Sequence, residues 1–158
     1  MTVRRRLAGT LAVLSTIALS GCMSGRVLSG YPGYPFARFE APVPADSAFF
    51  RLQHALEVEG FPLDYTFRED GYITTRSATV AGRPVFLNLV VESAEESAAG
   101  EAGTGSVVWL AAYGETVAGS ERINPLHEGA WREVMAIAGR LSAAVGGEPP
   151  VGPPLSGR

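Results

Sequence analysis

Two segments of this chain are apolar on both of their faces, and they constrain the fold more than any other feature. Val85, Leu87, Leu89 and Val91 alternate with Phe86, Asn88 and Val90. Val107, Trp109, Ala111 and Tyr113 alternate with Val108, Leu110 and Ala112. Successive side chains of a strand point to opposite sides of a sheet. Strands over 84–91 and 106–113 therefore need cover on two sides. Two helices can cover only one face of a small sheet. A patch of the other face, around Phe86 and Val90, is expected to stay open unless another part of the chain packs there.

The remaining elements follow from periodicity. Residues 46–60 read as a helix capped by Asp46 or Ser47, with Phe49, Leu52, Ala55 and Leu56 as its apolar stripe and Gly60 just past its end. Phe61, Leu63, Tyr65 and Phe67 alternate with polar residues as in a half-buried strand. Asp70-Gly71 then turns the chain back. Residues 72–80, rich in threonine and β-branched side chains, form the return strand. Ala81-Gly82-Arg83 turns into the third strand, and the acidic, glycine-rich residues 92–105 read as a hairpin tip before the fourth. Asn124-Pro125 opens a second helix, whose Ala130, Val134, Ile137 and Leu141 share one face. Gly146-Gly147 ends it. The expected fold class is α+β: helix, four-strand antiparallel meander, helix, with both helices on one face of the sheet.

The outer segments read differently. Arg4, Arg5 and Arg6 precede an apolar stretch, and the stretch ends in Leu19-Ser20-Gly21-Cys22. This resembles the lipobox of bacterial lipoproteins, in which the cysteine receives the lipid and becomes the new N-terminus. The resemblance implies a signal peptide over 1–21, a lipid-bearing Cys22, and attachment to the bilayer through several acyl chains. Met23, rather than Asp, follows the cysteine, which in the sorting rule of enteric bacteria favours the outer membrane, periplasmic side.

Residues 22–45 read as a tether, because prolines and glycines at this density oppose helix and sheet interior alike. Tyr31, Tyr34, Phe36 and Phe39 are an unusual load of rings for a spacer. They are candidates for partner binding, with Phe86 and Val90 of the open sheet face. Residues 46–147 are the globular domain, and 148–158 a disordered proline-rich tail. The domain's order of elements is similar to the helix-grip domains of BamC-like outer-membrane assembly lipoproteins. Leu56-Glu57-Val58-Glu59-Gly60-Phe61-Pro62-Leu63-Asp64, a helix end running into an amphipathic strand, carries most of that similarity.

Catalytic chemistry finds little support. The chain has 13 basic and 16 acidic residues, a net charge of −3, which argues against nucleic-acid binding. One cysteine excludes an internal disulfide and a multi-thiolate metal site. His54 and His127 fall in no metal-binding or triad pattern, and Gly100 to Gly105 lacks the lysine and strand-to-helix setting of a phosphate loop. Asp64, Glu69, Asp70, Glu95 and Glu96 read as solvated acids rather than a paired site. The sequence thus points to a non-enzymatic adaptor or accessory subunit of an envelope complex, with no metal and no cofactor, held on the bilayer and bound to an envelope protein. The alternative is a small-molecule or lipid-binding module, with Tyr65, Phe67, Trp109 and Trp131 lining a cavity between helices and sheet.

Overall fold

The computed structural model describes residues 36–94 and 104–153. In it the chain is α+β, with an antiparallel sheet and two helices. The elements are β1 (Ala37–Ala41), α1 (Ala45–Val58), β2 (Leu63–Phe67), β3 (Tyr72–Thr75), β4 (Ala78–Val80), β5 (Arg83–Ser93), β6 (Ser106–Thr116), β7 (Gly119–Arg122) and α2 (Glu128–Ala144). The strand order is β1-β6-β5-β3-β2, with β4 also on β5 and β7 also on β6.

This sheet has seven strands where a four-strand meander was expected. The return strand breaks in two at Arg76-Ser77. The fourth strand continues through a hairpin into β7, which pairs Tyr113 with Arg122. The remaining strand comes from the supposed tether: β1 pairs with β6, setting Phe39 opposite Val108. Its alternation of Ala37, Phe39 and Ala41 with Arg38 and Glu40 is a strand signal that the neighbouring prolines obscure. The first part of the expected tail is ordered as well. Val151 and Arg38 exchange two backbone hydrogen bonds of 2.7 and 2.8 Å, and Glu148 N donates to Glu40 O at 2.9 Å. Residues 148–151 thereby satisfy one amide, that of Arg38, and the carbonyls of Arg38 and Glu40 along the outer edge of β1.

Both helices lie on one face of the sheet. Leu52 and Leu56 of α1 and Val134 and Leu141 of α2 are fully buried against Leu87, Leu89 and Leu110. Each such leucine contributes about 2 kcal/mol of transfer free energy. Neither helix starts where the caps pointed. Pro44 holds the N-cap position of α1 and His127 that of α2, both without a side-chain cap. The Asn124 side chain instead accepts from Leu126 N at 2.9 Å, closing a turn ahead of α2. The end of α1 matches expectation. Gly60 (φ +85°) donates to Glu57 O and Phe61 N to Leu56 O, which satisfies the last carbonyls and turns Phe61 into the core.

Asp46, in the first turn of α1, takes two hydrogen bonds from Arg68, at 2.9 and 3.2 Å. That pair links α1 to the β2–β3 turn. The Arg68 guanidinium holds the Asp46 carboxyl below its ordinary value, through hydrogen bonding first and charge second. A depressed folded-state pKa gives stabilisation that is full above the unfolded carboxylate value of about 4. It is lost as pH falls through the lower folded value. Asp46→Asn should therefore be less stable than wild type at neutral pH, and the difference should vanish in acid. Chemical denaturation at several pH values checks this.

Two turns give sharper expectations. Gly71 (φ +61°) lies where a Cβ would come within 2.0 Å of the Val91 carbonyl oxygen. Gly71→Ala should lose about 2–4 kcal/mol, read as a drop in denaturation midpoint. Ala81 has φ +48° in the tight β4–β5 turn. Ala81→Gly should gain about 1 kcal/mol by relieving left-handed strain.

Candidate functional site

The sheet face opposite the helices is lined with rings. Register places Phe67 opposite Tyr72, Tyr72 opposite Val90, Val90 opposite Trp109, and Trp109 opposite Arg38. Four residues along the strands, a parallel row runs Phe86, Tyr113, Arg122. Between these ridges run Thr74, Asn88 and Ala111, with Tyr65 at the outer end of the row. Cross-strand neighbours share a face, so all three rows point away from the helices.

The ridges are held in place by specific contacts. Phe86 and Tyr113 stack at 5.1 Å with 11° between planes. Arg122 Nη2 donates to Tyr113 Oη at 2.6 Å, and the guanidinium carbon lies 5.1 Å from the Phe36 ring centroid. Trp109 Nε1 donates to Glu92 Oε2 at 3.0 Å, while Arg38 covers its ring at 5.4 Å and Phe36 meets it edge-on at 6.4 Å. Between the ridges, Thr74 Oγ1 donates to Asn88 Oδ1 at 3.0 Å. This row leads to an open cleft of about 320 Å³ lined by Asp64, Thr74, Arg76, Ser77, Phe86 and Glu115. Tyr65 and Phe67 form the outer rim, 61% and 53% exposed.

This geometry divides the candidate residues. Phe86 lies on the open face, half-buried against Tyr113. Val90 lies on it too but is 1% exposed between Tyr72 and Trp109, so it supplies floor rather than a contact surface. Phe36 packs over Trp109. Phe39 cannot bind a partner, because it is 2% exposed and turned into the helix-side core, where the β1–β6 register sets it beside Val108. Cys22, Tyr31 and Tyr34 lie outside the described residues.

The expected cavity lining is also divided. Trp131 is buried in the core with the leucines that fill the space between helices and sheet. Tyr65, Phe67 and Trp109 stand on the opposite face. A register shift between Leu63 and Tyr65 explains the two rim residues. Leu63 packs on the core, but the bulge reverses the alternation, and the following Tyr65 and Phe67 turn outward. Tyr72, which in the sequence is only the first residue of the return strand, joins the site because β3 carries it beside Phe67, at 6.4 Å.

The polar groups are dispersed. His127 Nε2 lies 3.1 Å from Glu121 Oε1 at the start of α2. His54 lines a groove with Glu59 and Arg140, near the other end of α2. The 13 residues of helix from His127 to Arg140 span about 20 Å. Among the described residues no three His, Cys, Asp or Glu side chains gather as metal ligands. Asp64 faces Arg76 at 3.6 Å, and Ser77 donates to Glu115.

No protein-family model matches the chain, and neither the curated proteins nor the solved structures contain a significant match.

Proposed function

We propose that this chain is a non-enzymatic, lipid-anchored lipoprotein of the bacterial envelope, acting as an adaptor or accessory subunit of a membrane-bound complex. Cys22 of the lipobox-like leader carries the anchor, and Met23 favours the periplasmic face of the outer membrane. Among the described residues no helix is long and apolar enough to cross a membrane. The envelope partner docks on the sheet face that carries no helix.

The observation that carries this reading is that face: Tyr65, Phe67, Tyr72, Phe86 and Tyr113 on one side of the sheet, with the first two more than half exposed. Aromatic rings give large contact area at small entropic cost and are enriched where proteins meet. Confinement to a membrane raises the effective concentration of the domain beside its partner, so a modest interface suffices.

Two variants test the two parts. Cys22→Ala should move the protein from the membrane fraction to the soluble fraction, and continued membrane association would overturn the anchor. The double variant Tyr65→Ser/Phe67→Ser should recover at least about ten-fold less of any near-stoichiometric partner from native membranes. Because both rings are exposed, its denaturation midpoint should stay near that of wild type. Undiminished recovery would remove this face from the proposal, and a wild-type protein that purifies alone after crosslinking would overturn the adaptor reading.

A further inference from the structure

The aromatic face has a candidate occupant within the same chain. We propose that residues 31–35, Tyr31-Pro32-Gly33-Tyr34-Pro35, dock in cis on the ridge formed by Phe86 and Tyr113, strapping the anchor-proximal chain to its own domain. The direction of the chain is the first argument. β1 sets Ala37 opposite Leu110, so each step back toward the N-terminus moves along β6 toward Ala111 and Tyr113. Phe36 has already turned onto this face. It lies edge-on to Trp109 and under Arg122, whose guanidinium carbon is 5.1 Å from both the Phe36 and the Tyr113 ring centroids. Phe36 is only 8% exposed although it precedes the strand.

Burial and chemistry point the same way. Ala111, the residue of β6 between Trp109 and Tyr113 on the face that carries no helix, is 1% exposed. Proline fixes φ, so a Tyr-Pro-Gly-Tyr-Pro run favours the extended polyproline conformation, at about 3.1 Å per residue. Five residues then span about 15 Å, enough to cross three strands spaced about 4.8 Å apart. Grooves walled by aromatic rings receive such segments. Attachment through Phe36 puts the segment at millimolar effective concentration, so weak intrinsic affinity is enough. The docked strap leaves the rim at Tyr65 and Phe67 open and shortens the free tether after Cys22 to residues 23–30. It holds whether or not an envelope partner uses the rim.

The test uses the full chain in detergent micelles. Nuclear Overhauser contacts are expected between the ring protons of Tyr31 or Tyr34 and those of Phe86 or Tyr113. A synthetic peptide of residues 30–35 should perturb Phe86 and Tyr113 in the Tyr31→Ser/Tyr34→Ser variant. It should bind wild type at least about ten-fold more weakly, because the strap already holds the site. Absent ring contacts, or equal peptide affinity for the two proteins, would overturn the proposal. So would contacts found only between labelled and unlabelled molecules, which place the segment on a second copy. No arm requires a partner protein, so these results are separate from those that test the adaptor reading.

Discussion

The β5–β6 ladder is the frame on which the other elements are placed. It pairs nine residues of each strand, from Val85 with Gly114 to Ser93 with Ser106. A single register decides the content of both faces. Leu87 with Ala112 and Leu89 with Leu110 meet the helices, while Phe86 with Tyr113 and Val90 with Trp109 meet the other side. A slip of one residue would send every side chain to the wrong face. The apolar burial on the helix side therefore fixes the composition of the aromatic side, although the two never touch.

The two edges of the sheet are treated unequally. The β1 edge is covered by residues 148–151, which bond back to Arg38 and Glu40 after α2 ends. The β2 edge is short, carries a bulge, and is flanked by charged residues such as Arg68, Glu69 and Asp70, a combination that discourages strand addition. What remains is the broad face, where ring stacking and two arginines, Arg38 and Arg122, hold the ridges. A rigid aromatic surface of this kind loses little conformational entropy when covered.

Much of this was legible in the sequence, and the failures have physical causes. The two-sided alternation of 84–91 and 106–113 announced a sheet with one helix-covered face and a second apolar face. The spacing of Leu52, Leu56, Val134 and Leu141 announced the helices that cover the first. Local patterns misled where a distant partner decides. Residues 37–41 lie among prolines, and only β6 makes them a strand. Phe39 looked available because its burial depends on that pairing. Tyr65 and Phe67 followed Leu63 in strict alternation, and a bulge at Asp64, with no signature in the sequence, turned them outward. The caps at Asp46 and Asn124 failed because Arg68 and the backbone of Leu126 engage those side chains elsewhere. The lipobox-like leader lies outside the described residues.

In the proposed function the helix-free face, and not the helical one, meets the partner. Phe67 on the first and Phe50 on the second are each 53% exposed, which makes them matched positions. A photo-crosslinking amino acid should be placed at either position in turn and irradiated in native membranes. A discrete, reproducible adduct is expected from position 67 and none from position 50. Equal adducts from both, or an adduct from position 50 alone, would contradict the proposed function.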